Sequence, residues 1–162
     1  GKLNPQAYGP GVPTYLTAFM TGRGARPSGP LDGHGRRSVY QAVYRNFLNP
    51  FLLAFDMPSP FGPKGRRSSS NVPAQALTLM NDPFVHRMAV IWAKSTAQIQ
   101  DPLNRAQHMY EQAVGHLPDE SKTDQLLAFL DKQGELYGQN DHRAWNDLAH
   151  ALFNLKGFSY LQ

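Results

Sequence analysis

The chain has 162 residues, of which 41% are hydrophobic, including two Trp, nine Phe and seven Tyr. This is enough apolar material for one folded domain with a buried core. The chain contains no cysteine, which excludes disulfides, thiolate catalysis, zinc–thiolate sites and covalent haem attachment through Cys-x-x-Cys-His. No apolar run approaches the ~18 residues of a membrane span, and the N-terminus lacks the pattern of a signal peptide.

Charge is distributed unevenly along the chain. The net charge is +4, yet residues 1–94 hold eleven Lys and Arg against three Asp, whereas residues 95–162 hold five against nine acids. A basic first part attracts phosphate, sulfate or carboxylate groups. The simpler interpretation is that its arginines bind backbone carbonyls inside the fold or face the acidic part.

Residues 1–35 contain five prolines and many glycines, which predicts an extended lead-in anchored by pairs such as Tyr15-Leu16 and Phe19-Met20. From Arg36 the apolar side chains recur every four residues, at Val39, Val43 and Phe47, which predicts a helix that ends at Asn49-Pro50. Four prolines then predict a long ordered loop over residues 49–72.

The rest of the chain predicts helices that begin at aspartate or proline caps. They run from Pro73 to Met80, from Asp82-Pro83 to about Gln98, from Asp101-Pro102 to Gly115, from between Pro118 and Ser121 to Gly134, and from Asp141 onwards. Their expected inner residues are Phe84, Met88, Ile91 and Trp92, then Leu103, Ala106, Met109, Tyr110 and Val114, then Leu126, Leu127, Phe129 and Leu130, and finally Trp145, Leu148, Ala149, Leu152 and Phe153.

These patterns together predict an all-α fold. We expect about five to six helices in an irregular bundle, with a Pro/Gly-rich N-terminal lead-in and a long ordered loop at 49–72. The predicted domain organisation is a lead-in over residues 1–35, followed by a single helical domain over residues 36–162 that forms the C-terminal part of a larger parent protein.

The tetrapeptide Gly-Arg-Arg-Ser occurs twice, at residues 35–38 and 65–68. Guanidinium groups bind oxyanions through paired hydrogen bonds, and helix N-terminal amides favour the same ligands. If the two copies meet, they form an anion-binding or ligand-binding site, for example for a sulfated or acidic glycan. Its candidate residues are Arg36, Arg37, Arg66, Arg67, Ser68 and Asn71. The alternative is that these arginines tie loops to backbone carbonyls or to nearby aspartates.

Other chemistry has weaker support in the sequence. Asp56 and Asp82 are the available pair of acids for glycoside cleavage, but a turn and a helix N-cap already explain them. The six histidines form no His-x-x-x-His pair, and His86 or Met80 as an axial ligand of a partner's haem is a remote alternative to ordinary packing. The aromatic residues lie on apolar helix faces, which argues against nucleic-acid binding.

Three segments carry a family resemblance: GRRSVY, LAFDMPSPFGPKGRRSSSNVPAQALTLMNDPF and AWNDLAHALFNLKGFSYLQ. With the lead-in SGPLDGHGRRS they cover most of residues 28–94 and 141–162. They resemble the C-terminal domain of unknown function, the PSD family, of planctomycete cytochrome-c-like proteins. The resemblance implies an upstream uncharacterised domain, in many members a c-type cytochrome module, and export to the cell envelope. It supplies no established catalytic residues.

We therefore expect a non-catalytic structural or assembly module of a multidomain, extracytoplasmic, cytochrome-c-associated protein. Its expected partner is the upstream part of the same protein or another subunit, such as a c-type cytochrome, with haem in that partner and no cofactor in this chain. The sequence singles out no catalytic, cofactor-binding or metal-binding residue, so the prediction leans against an enzyme. The alternative is a protein that binds, or less readily cleaves, an acidic polysaccharide. A third hypothesis is an electron-transfer accessory that positions a haem domain.

Overall fold

A computed structural model describes residues 2–21, 27–63, 65–66, 73–139 and 141–159. Within these ranges the chain forms α-helices and no regular strand, which confirms the all-α prediction. Contacts divide the chain into two compact units, Gly1–Thr78 and Leu79–Gln162, here called the first and second units. The division predicted from the sequence, a lead-in over residues 1–35 and one helical domain over residues 36–162, stays a prediction.

The first unit is built mainly from extended chain and turns. Its lead-in contains one short helix, α1 (Ala18–Thr21), and a second short helix follows later, α2 (Pro50–Ala54). The amide of Asn4 donates to the carbonyl of Gly35, and the amide of Val12 donates to Tyr40, both at 2.8 Å. The amide of Ala42 returns a bond to the Val12 carbonyl, so the lead-in runs parallel to the chain that follows it.

The helix predicted from Arg36 to Asn49 is wrong. A short 3-10 turn, Ser38–Tyr40, is followed by an extended Gln41 with φ −76° and ψ 137°. Val39 is 77% exposed and Val43 50% exposed, so they form no buried face. The segment is rich in β-branched and aromatic residues, which favour extended backbone. Hydrogen bonds to Val12 satisfy the Tyr40 carbonyl and the Ala42 amide, which in a helix would bond within the segment itself.

The lead-in is held at Leu16, which is buried. The Ser28 hydroxyl accepts from the Leu16 amide at 2.9 Å and donates to the Leu16 carbonyl at 3.1 Å. In the predicted anchor pair Tyr15-Leu16, Tyr15 is half-buried and Leu16 is buried. In the second predicted pair, Phe19 is exposed. Since Met20 is half-buried, the second pair contributes little to the core.

The predicted loop at residues 49–72 contains α2, which the sequence prediction did not include. Asn49 caps this helix, since its side chain accepts from the amides of Phe51 at 2.9 Å and Leu52 at 3.3 Å. Pro50 fills the first helical position, where no amide hydrogen is needed. Residues 64 and 67–72 lie outside the described part of the chain.

Regular helices occupy the rest of the chain. α3 (Pro73–Asn81) spans the boundary between the units, and five helices follow it: α4 (Pro83–Ser95), α5 (Pro102–Val114), α6 (Glu120–Tyr137), α7 (His142–Phe153) and α8 (Lys156–Ser159). The predicted starts are confirmed by their caps. The side chains of Asp82, Asp101, Asp119 and Asp141 each accept a backbone amide of the following turn, at 2.7 to 3.0 Å.

The core of the second unit is centred on α7. This helix packs most extensively against α4 and also contacts α5, α6 and α8. Met109, Leu148 and Leu152 are the largest apolar side chains that are almost completely buried. Removing apolar surface from water is the main favourable term in folding, so this cluster supplies much of the stability of the second unit.

Several details of these helices differ from the prediction. Leu103, an expected inner residue of α5, is exposed. The buried face of α4 consists of Val85, Ala89 and Ala93, and the predicted stripe of larger residues is only half-buried. Small residues allow α4 and α7 to approach closely. Gly134 does not end α6. It is buried within the helix, which continues to Tyr137 and stops before Gly138 with φ +100°.

Arg105 satisfies hydrogen-bond acceptors at the C-terminal end of α4. Its guanidinium donates to the Ala93 carbonyl at 2.6 Å and to the Thr96 hydroxyl at 3.2 Å, and it lies 3.9 Å from the centre of the Trp145 ring. A cation at a helix C-terminus is favoured by the helix dipole. Burial lowers the pKa of Arg105 from its ordinary value.

Candidate functional site

An open cleft lies within the first unit, with a volume of about 910 Å³. One wall is the segment from Arg37 to Val43, and another is formed by the end of α2 and the residues after it. Gly65 and Arg66 complete the lining. We call it the Arg37–Arg66 cleft.

Local backbone geometry shapes this cleft. Phe55 follows the last residue of α2, and its amide donates to the Leu52 carbonyl at 3.2 Å. Asp56 then adopts a left-handed conformation with φ 60°, which asparagine and aspartate tolerate better than most residues. The chain therefore turns sharply after α2 and returns past Met57 and Pro58, both of which line the cleft.

The structure brings together one arginine from each Gly-Arg-Arg-Ser copy. Arg37 and Arg66 both line the cleft and both are exposed. The remaining candidates of the second copy, Arg67, Ser68 and Asn71, lie outside the described residues. Anion binding by this set stays a prediction.

Arg36 has a different environment. Its guanidinium donates to the carbonyls of Tyr8 at 2.6 Å, Pro10 at 3.0 Å and Gln6 at 3.4 Å, and it lies 4.2 Å from the centre of the Tyr40 ring. This is the loop-tying role that the sequence left open as an alternative. An anion would have to compete with these carbonyls for the guanidinium.

The two acids considered for glycoside cleavage lie in different units. The Asp82 carboxylate accepts from the Phe84 amide at 2.8 Å and caps α4. Asp56 occupies the turn after α2 and lines the cleft. Both residues therefore have the structural roles that the sequence suggested.

The histidine and methionine candidates lie in the second unit. The His86 ring packs against the His150 ring with centroids 4.1 Å apart, and His150 Nε2 lies 3.0 Å from the Leu79 carbonyl. Met80 is exposed. Among the described residues, no three His, Asp or Glu side chains are grouped as metal ligands.

The apolar part of the cleft was missed in the sequence. Val39 and Val43 had been assigned to a helix face, and they instead line the cleft together with Phe55. The two valines and two tyrosines of residues 38–44 were a usable signal, because β-branched and aromatic residues favour extended backbone. The pairing with Val12 that fixes their orientation has no local sequence signal.

Comparison with known proteins gives one match. The family PSD1, described as "Protein of unknown function (DUF1553)", matches residues 1–130. The matched range includes both Gly-Arg-Arg-Ser copies and the cleft, whereas the C-terminal segment at 141–162 that carried part of the resemblance lies beyond it. No curated protein and no solved structure matches the chain. The match covers most of the chain, which therefore belongs to the PSD1 family of proteins of unknown function.

Proposed function

We propose that this chain is a non-catalytic assembly module of a larger protein, and that it docks against an upstream part of that protein or against another subunit. The observation that carries the proposal is the surface of the first unit. Large apolar side chains are exposed there, including Leu3, Tyr8, Phe19, Val39 and Phe61. Of the fourteen large apolar side chains exposed among the described residues, nine belong to the first unit, and exposed apolar surface is a property of interaction sites.

The use of the charged residues also supports a structural role. Arg36 holds the lead-in, and Arg105 closes the end of α4. Asp82, Asp101, Asp119 and Asp141 serve as helix caps. Many of the side chains that could carry chemistry are thus already engaged in the fold.

The cellular context of the proposal comes from the family resemblance alone. The parent protein is a planctomycete, extracytoplasmic protein with a c-type cytochrome module, and haem belongs to that module or to a partner. No described helix is long and apolar enough to cross a bilayer, and nucleic acid is not among the proposed partners.

Native purification tests the proposal. The protein is isolated from its source without denaturant, and co-purifying chains and haem are measured by mass spectrometry and absorbance. A stoichiometric complex with an upstream domain or a cytochrome is expected. A lone, monomeric, haem-free chain would contradict it and would favour the alternative, an acidic polysaccharide bound through Arg36, Arg37, Arg66 and Arg67.

A further inference from the structure

The segment from Arg37 to Val43 contributes five residues to the lining of the Arg37–Arg66 cleft. Arg37, Ser38 and Val39 lie at the start and middle of the 3-10 turn Ser38–Tyr40. Gln41 follows the turn with extended backbone, φ −76° and ψ 137°. Side chains two residues apart in extended chain point to the same side, which is consistent with Gln41 and Val43 both lining the cleft.

The lining of the cleft combines apolar and cationic groups. Val39, Val43 and Phe55 are exposed apolar side chains, and Arg37 and Arg66 are exposed cations. Asp56 is the single acidic residue among the described lining residues, so the cleft has a net positive charge. A complementary ligand carries apolar side chains next to a carboxylate.

The backbone of the same segment offers one hydrogen-bond acceptor. The Tyr40 carbonyl and the Ala42 amide both bond to Val12, and the Gln41 amide donates to the Ser38 carbonyl at 3.0 Å. Because backbone groups of successive residues in an extended chain point to opposite sides, the Gln41 carbonyl points away from Val12. It accepts no backbone hydrogen bond from a described residue. A bound peptide can donate a backbone hydrogen bond to it.

We propose that the Arg37–Arg66 cleft binds a peptide segment of a partner protein, with apolar residues that contact Val39, Val43 and Phe55 and an acidic side chain that pairs with Arg37 or Arg66. The proposal rests on the assembly function above and names the chemistry of its partner. A polysaccharide fits less well, because Phe55 is the only aromatic ring among the described lining residues.

Selection from a library of random linear peptides on the full chain tests the cleft directly. Enriched peptides should combine apolar residues with Asp or Glu, and their affinity should fall with added salt. The double variant Arg37→Gln/Arg66→Gln should weaken binding about tenfold, as expected for loss of charge-assisted hydrogen bonds. Val39→Ser should weaken it through lost apolar contact, and Arg45→Gln, a change at another exposed arginine of the first unit, should not.

Three results would overturn the proposal. They are the absence of any enriched peptide, enrichment without acidic residues, and peptides whose affinity is unchanged in both the double variant and Val39→Ser. A heparin probe gives a further check. Heparin binding that the double variant removes, in the absence of peptide binding, would assign the cleft to an acidic polysaccharide and reject the peptide.

The same variants separate this proposal from the assembly function. If the native complex forms and persists with Arg37→Gln/Arg66→Gln and with Val39→Ser, the cleft proposal fails while the assembly function stands. If the wild-type chain forms no native complex, the assembly function fails, and the peptide selection alone decides the cleft. All of these substitutions are at exposed positions, and circular dichroism confirms that the variants fold.

Discussion

The two units are stabilised by different means. The second unit buries a continuous apolar cluster between α4, α5, α6 and α7. The first unit buries few apolar side chains, and its chain is held by backbone pairing, by Ser28 and by Arg36. A basic, Pro/Gly-rich segment can thus use an arginine as a structural tie in place of a large apolar core. Each unit is therefore sensitive to a different kind of substitution.

The largest effect is expected from a cavity in the second unit. Leu148 is 2% exposed, and Leu148→Ala should lower the free energy of unfolding by about 2–5 kcal/mol. Urea unfolding followed by tryptophan fluorescence measures it, because Trp92 and Trp145 both lie in this unit. Leu136, on α6, is 70% exposed, and Leu136→Ala should change stability by no more than about 0.5 kcal/mol. Equal losses of stability in Leu148→Ala and Leu136→Ala would contradict the placement of the core.

In the first unit a large effect is expected at a glycine that contacts the lead-in. Gly35 has φ +72°, and a Cβ there would lie 2.0 Å from the Lys2 carbonyl oxygen. Gly35→Ala should therefore cost about 1–3 kcal/mol from backbone strain alone and displace the lead-in as well. Faster amide exchange at Asn4 is the measurement. Gly62→Ala is the control, since nothing lies within 4 Å of a Cβ there, and unchanged exchange in Gly35→Ala would contradict the backbone pairing.

Loss of the arginine tie should have a smaller effect. Arg36→Gln removes the bonds to the carbonyls of Tyr8 and Pro10 and should cost about 1–2 kcal/mol. Hydrogen exchange at Val12 should increase, while the cores of α5 and α7 keep their protection. Arg45→Gln removes the same charge from an exposed position and should leave exchange unchanged. Protection that persists in Arg36→Gln would favour a ligand-binding role for Arg36.

The smallest effect is a dependence on pH at the start of α7. Hydrogen bonds from the Arg143 side chain and amide lower the pKa of Asp141 to about 2, from its ordinary value of 3.8. The contribution of Asp141 to stability is therefore complete above pH 3.8 and is lost as pH falls through about 2. NMR titration of the Asp141 carboxyl carbon measures it. Arg143→Gln should raise this pKa towards 3.8, and an unchanged midpoint would exclude the ion pair as its cause.

Much of the second unit could be predicted from local signals. Asp82-Pro83, Asp101-Pro102 and Asp141 mark helix starts because their side chains satisfy amides within the next turn, which is a property of a few consecutive residues. The buried face of α4 could not be predicted by size alone. Which of its residues face α7 depends on how closely two helices distant in sequence approach.

The first unit depends on contacts that have no local signal. The four-residue spacing of Val39, Val43 and Phe47 fits a helix, but pairing with Val12 holds the segment in extended form. The Gly-Arg-Arg-Ser repeat does not distinguish the environments of its two arginines. Only the structure shows that Arg36 ties the lead-in while Arg37 lines the cleft, because neighbours in extended chain point to opposite sides.

The central position of α7 has a consequence for synthesis of the chain. The apolar face of α4 is covered by a helix that the ribosome makes about fifty residues later, as the bounds of α4 and α7 show. Contacts between distant parts of a chain form late and leave apolar surface exposed in the meantime. The nascent second unit therefore cannot complete its core until His142–Phe153 has emerged, and until then its α4 is a natural target for chaperones.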